Sequence, residues 1–252
     1  SSCGYHYKPK DWFRDHPDSK HDWRELTPEE KKRLFPEKPK RKPLCTIPDE
    51  YVKRSVRPDK QSHLMEYLSR IIDPLVLEGL IVEYRIGVTK AKETIFFQID
   101  KDGRCRTGKV MKYNSETGRR IKDEKTPSKI TWVHSLLKQQ GVLQQDWELT
   151  QCLFGEHLLS EYPDSKVALV ESEKTAIICA AIMPRFIWLA TGGKTQLGDK
   201  LEVLRGREVV AFPDIDAYDT WKEKLCSLPF LNVIVSDYLI KNATPQDIEN
   251  HI

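Results

Sequence analysis

The chain has 252 residues, 39% of them hydrophobic and 31% charged, with a formal net charge of +3. That length and apolar content suit one large domain or two modest ones and exclude wholesale disorder. The net charge conceals an asymmetry, because residues 1–150 carry 31 basic against 23 acidic residues and residues 151–252 carry 10 against 15.

A basic half beside an acidic one is expected where one surface grips a polyanion and the other gathers divalent metal; ordinary solvated faces are the even alternative. No apolar run reaches the ~20 residues of a membrane-spanning helix, so no membrane partner is expected. The six cysteines stand singly, without the spacing of a redox motif or a complete zinc site, which points to a reducing cytoplasm and no disulfide framework. The start, Ser1-Ser2-Cys3-Gly4-Tyr5-His6, has neither a signal-peptide pattern nor an initiator Met, so a fragment or processed product is expected.

Along the chain, residues 1–27 set Tyr5, Tyr7, Trp12, Phe13 and Trp23 among charges. Residues 28–61 open with a Pro- and Lys-rich stretch, the composition of a linker. From Ser62 regular patterns begin, with Leu64, Leu68 and Ile71 on one helical face. Thr94–Ile99 is expected as a strand, Asp100-Lys101-Asp102-Gly103 as a turn, and 104–113 as the returning strand. Helices are expected over Ile130–Gln139 and Leu149–Leu159. Residues 62–163 thus form a small α+β unit, and 101–129 carry ten basic residues against four acidic ones.

From 164 to 252 short apolar strands alternate with helices. Strands are expected at 166–170, 186–190, 208–212 and 231–235, and helices at 173–182, 197–204 and 217–225. That alternation implies a parallel α/β sheet with helices on both faces and every strand C-terminus on one edge, where ligands bind. Glu171 ends the first strand, Thr191-Gly192-Gly193-Lys194 follows the second, and Pro213-Asp214-Ile215-Asp216 follows the third. Such carboxylates suit a hard cation such as Mg2+ or Mn2+, which stabilises phosphoryl or nucleotidyl transfer. Asp216 is equally placed to cap the following helix, Ser172 to cap the helix at Glu173, and Asp219 to sit against a helix dipole. His134 and His157 lie in apolar helical patterns and read as satisfied core or edge histidines.

Val167-Ala-Leu-Val-Glu171-Ser-Glu-Lys-Thr175-Ala176, Ala190-Thr-Gly-Gly193 and Val209-Val-Ala-Phe-Pro-Asp214-Ile-Asp216 resemble the toprim domain shared by bacterial-type primases, topoisomerases and some nucleases. The resemblance implies a toprim (Rossmann-like) fold in which Glu171, Asp214 and Asp216 are catalytic and metal-ligating. Upstream, Phe154–Leu159 resembles the helix joining a primase's basic subdomain to its toprim core. Gly103–Tyr113 resembles that subdomain's basic strands, and Cys3-Gly4-Tyr5-His6-Tyr7 the second half of a primase-type zinc ribbon. The family group most similar is that of primase-like toprim proteins on mobile elements.

The resemblance implies single-stranded DNA and nucleoside triphosphates as partners, with a helicase or mobilisation proteins beside them. Arg104, Arg106, Lys109, Lys112, Arg119, Arg120 and Lys122 would track template or triphosphate, Lys194 would meet a phosphate, and Trp132 would stack on a base or, as is more common for Trp, be buried. Zn2+ would bind, through Cys3, only in a longer chain. The chain departs from the family pattern at Ser172 (usually Gly), at Thr175 (often Asp), and in lacking a downstream acidic pair, so the toprim unit is C-terminally incomplete on this reading. Three functions follow: a primase-like nucleotidyltransferase, a single-strand DNA adaptor on an impaired toprim fold, or a toprim nuclease.

Overall fold

The short apolar runs become strands, and they build two sheets. The computed structural model describes residues 27–29, 44–122 and 130–244. The expected zinc-ribbon remnant with Cys3, most of the Pro/Lys-rich stretch and part of the basic loop after Lys122 lie outside the described residues.

Helix α1 spans Asp49–Ser55, and α2 spans His63–Leu68, with the Ser62 hydroxyl accepting from the Met65 N–H. Helix α3, Pro74–Glu83, starts at an Asp73 cap whose carboxylate accepts from Leu75 and Val76. Strands β1 (Ile86–Val88), β2 (Thr94–Ile99), β3 (Cys105–Met111) and β4 (Thr131–Trp132) then form an antiparallel sheet in the order β1-β2-β3-β4. The β2–β3 turn is the expected one, with Gly103 at φ +80°. Successive β2 side chains point to opposite faces. Ile95, Phe97 and Ile99 enter a core with Val52, Val110, Val133 and Trp147, whereas Phe96 joins the larger core shared with the second sheet.

Two helix expectations are corrected. Residues 131–132 pair with β3 as β4, and helix α4 covers only Val133–Gln139. Between Leu149 and Leu159 the chain is mostly irregular, with one bridge at Phe154 and a turn after it. Phe154 exchanges both backbone hydrogen bonds with Ala190, Gly155 takes φ +80°, and helix α5 is just Leu158–Glu161. Local apolar spacing gave way there to pairing with a distant strand.

The second sheet is parallel. It contains β5 (Val167–Val170), β6 (Ile187–Ala190), β7 (Glu208–Ala211) and β8 (Asn232–Val235), in the order β6-β5-β7-β8. Helix α6 (Glu173–Ile182) links β5 to β6, and α7 (Tyr218–Cys226) links β7 to β8. The link from β6 to β7 contains the expected helix, as a 3-10 helix over Asp199–Leu204; α8 (Tyr238–Asn242) follows β8. Every β5 and β6 residue is buried, so both faces of these two strands are covered. The fold class is therefore the expected one, a parallel α/β sheet preceded by a small α+β sheet. Described residues from Leu44 onward belong to one compact unit.

Candidate active site

The β5 backbone delivers Glu171 to the C-terminal edge of the parallel sheet. Its carbonyl accepts the Gly192 N–H at 2.8 Å, and Ser172 caps α6 as expected, accepting the Thr175 N–H at 3.1 Å. Glu171 is only 8% exposed, and its Oε1 is buried without a hydrogen-bond partner. Burial, reinforced by Asp214 and then Asp216, pushes its carboxyl up to about 7; the Asp214 backbone N–H and Lys194 oppose that rise.

Strand β7 runs through Phe212, whose N–H bonds the Leu169 carbonyl at 2.8 Å, into Asp214 and a 3-10 turn over Ile215–Ala217. Asp214 is open to solvent, yet desolvation by the surrounding protein and then the Asp216 charge raise its carboxyl. Asp216 caps nothing with its side chain, which removes the capping reading. It meets Lys194 instead: the ammonium lies 3.0 Å from Oδ2 and also donates to the Asp216 carbonyl. Buried Trp221 holds the turn by donating Nε1–H to the Lys194 carbonyl at 3.0 Å. Three carboxylates and one lysine therefore gather on one rim.

The donors suit a hard cation in kind. All are carboxylate oxygens, one of them buried and unpartnered, and burial together with their crowding raises the proton affinity of Glu171 and Asp214. They are not drawn together as a ligand cage: among the described residues no three His, Cys, Asp or Glu side chains are grouped to hold a metal ion. Asp237, beyond β8, pairs with Lys241 at 2.9 Å, and Asp247 lies outside the described residues.

The basic residues divide. Arg106 is buried with its Nε 2.8 Å from Asp100 Oδ2, the oxygen that Arg104 Nε also meets at 2.9 Å. Lys109 is buried too, 2.8 Å from Glu173 Oε1 and donating to the Gly192 carbonyl at 2.6 Å. A basic strand lying free for a polyanion is thus corrected at these two positions, where internal carboxylates take the charge. Lys112, Arg119, Arg120 and Lys122 are exposed, and Arg104 is partly so. We expect Arg106→Glu to put a carboxylate against buried Asp100 and to cost about 3–5 kcal/mol of stability. A thermal midpoint equal to that of the unaltered protein would contradict the buried pair.

Glu173 and Lys200 escaped the sequence reading. The Lys200 ammonium donates to the Thr191 carbonyl at 2.6 Å, and burial, then Lys109, pushes it down to about 8. Only the position of Glu173 in the first turn of a helix two residues after Glu171 hinted at its place. His157 is a buried core histidine but only half satisfied: Nε2 lies 2.8 Å from the Glu83 carbonyl, whereas Nδ1 is buried without a hydrogen-bond partner. His134 is half-buried, 2.7 Å from the Thr107 hydroxyl and stacked on Trp147, with Trp132 beside it.

The chain belongs to a family described as a domain of unknown function (DUF6371), whose model matches residues 62–215. That span runs from the Ser62 cap to the residue after Asp214. Among solved structures the chain is similar to the primase fragment of the bacteriophage T7 primase-helicase protein, at 14% identity over 84% of this chain and 83% of that one, with a TM-score of 0.48. It is also similar to the DnaG catalytic core, at 13% identity over 81% and 77% of the two chains, with a TM-score of 0.49. No curated protein matches it. No helix among the described residues is long and apolar enough to cross a membrane.

Proposed function

We propose that the chain is a primase-like, divalent-metal-dependent nucleotidyltransferase acting on single-stranded DNA, in the replication or mobilisation of a mobile element. The observation that carries this reading is Glu171, a buried carboxylate with an unpartnered oxygen and a raised proton affinity, facing Asp214 and Asp216 across the sheet edge. Perturbed acids clustered at strand ends are typical of working sites.

In this reading Asp214 and Asp216 hold Mg2+ or Mn2+, and Glu171 serves as a further ligand or as general base. The bound ion would neutralise charge on the triphosphate. Lys194 leaves Asp216 to meet a phosphate. Lys112, Arg119, Arg120 and Lys122, with Arg104 at the hairpin tip, track the DNA backbone. A helicase or mobilisation proteins are the partners proposed, and Zn2+ belongs to a longer chain.

Primer synthesis on a single-stranded template with Mg2+ or Mn2+ tests the assignment. Asp214→Asn is expected to lower the rate at least about a hundredfold, roughly 2.7 kcal/mol of barrier, with thermal unfolding unchanged. Retained synthesis would overturn it.

The adaptor reading has its own support. Lys194 already neutralises Asp216, and the Thr175 hydroxyl is engaged with Ser172 at 2.9 Å inside the helix cap. An adaptor would bind single-stranded DNA equally well in chelator and in the Asp214→Asn variant. Nicking of labelled DNA with Mn2+ would instead favour the nuclease.

A further inference from the structure

We propose that Lys109 is a positioning residue for Glu171: a buried brace from the antiparallel sheet that holds the backbone around the acidic strand end. The inference rests on the reading of Glu171 as a working carboxylate. It accounts for a lysine that the basic surface does not use.

Three elements meet at the Lys109 ammonium. Lys109 belongs to β3, Glu173 opens α6, and Gly192 lies in the turn after β6; the two charged side chains are 6% and 5% exposed. The ammonium donates to the Gly192 carbonyl, and the Gly192 N–H donates to the Glu171 carbonyl at 2.8 Å. Its other partner, Glu173, stands two residues beyond Glu171, with the Ser172 cap between them. One cation therefore holds both the residue whose N–H binds the Glu171 carbonyl and the residue two positions beyond Glu171.

The turn is shaped to this contact. Gly192 takes φ +84°, and a Cβ there would lie 2.8 Å from the Lys109 ammonium and 3.2 Å from Glu173 Oε1. Lys200 secures the preceding carbonyl, that of Thr191. The Lys109 ammonium meets the Gly192 carbonyl and the Glu173 carboxylate, the residues flanking the acidic strand end, so Lys109 acts on Glu171 through the backbone. Outer contacts of this kind orient ligands, and their loss costs about 10–100-fold in metal affinity.

Removing one partner of a buried ion pair strands the other charge, so the test uses neutral pairs that keep the shape. Lys109→Met with Glu173→Gln deletes the donor to Gly192, whereas Lys109→Gln with Glu173→Gln returns an amide donor to it. Mn2+ affinity by calorimetry and amide exchange at Gly192 are measured on both and on the unaltered chain. The Met pair should fold, bind Mn2+ at least about tenfold more weakly and exchange Gly192 faster, with the Gln pair recovering most of both.

Equal Mn2+ affinity and equal exchange in the two folded pairs would overturn the brace. So would a Met pair that cannot fold beside a Gln pair that does, since the bond would then be structural only. Absence of Mn2+ binding by the unaltered chain would sink the metal reading, and Gly192 exchange alone would then decide whether Lys109 holds the turn.

Discussion

Glu171→Gln should raise the stability of the protein at pH 8 while removing its response to divalent cations. The native carboxyl titrates near 7, against 4.5 for the same group in the unfolded chain. Between those values the folded state binds more protons than the unfolded one, so stability falls as pH rises from about 4.5 to 7 and stays low above it. A rise of that size corresponds to a penalty on the order of 3 kcal/mol at pH 8. Gln keeps the shape and removes the penalty, so its advantage should be fully present at pH 8 and fade toward pH 4.5. Thermal unfolding of both proteins across that range provides the check. A Gln variant less stable than the parent at pH 8 would mean that Glu171 serves the fold, not a ligand. Gain of stability with loss of function is the pattern expected of a site kept under strain for its chemistry.

Charge reversal of Arg119, Arg120 and Lys122 to Glu should abolish most single-strand DNA binding and leave folding intact. All three are exposed, and surface substitutions away from buried contacts change stability by about 0.5 kcal/mol or less. If each neutralises one phosphate, the slope of log affinity against log salt should lose about 2 in magnitude, at ~0.7 per contact on a single strand. Binding curves at several salt concentrations measure it directly. An unchanged slope would place the DNA elsewhere on the molecule. Arg106→Glu is the instructive contrast, because its effect should be on folding rather than on salt dependence.

Legibility in the sequence followed the range of the interactions. The parallel sheet was readable because each strand is a short apolar run between turn residues, and because Glu171, Asp214 and Asp216 fall at the strand ends by topology. Ser172 as a cap was readable for the same local reason. Helix α3 was not: Leu77, Leu80 and Ile81 are buried while Leu75 and Val82 are exposed, so both faces are apolar and no stripe marks the helix. Residues 131–132 and Phe154 looked helical because their pairing partners, β3 and Ala190, lie 20 or more residues away in sequence. The burial of Arg106 and Lys109 was illegible because strand alternation tells which face a residue takes, but not that Asp100 waits for the one and Glu173 for the other. Lys200 lacked any local mark, since only the folded β6 turn brings a carbonyl to its ammonium.

Whether the acidic rim of the parallel sheet holds a divalent cation is decided by titrating Mn2+ calorimetrically into the parent, Glu171→Gln and Asp214→Asn. Saturable binding by the parent is expected, weakened at least about tenfold, or ~1.4 kcal/mol, by each substitution. No binding by the parent, or binding that ignores both substitutions, would leave the rim as an acidic sheet edge on a DNA-binding adaptor.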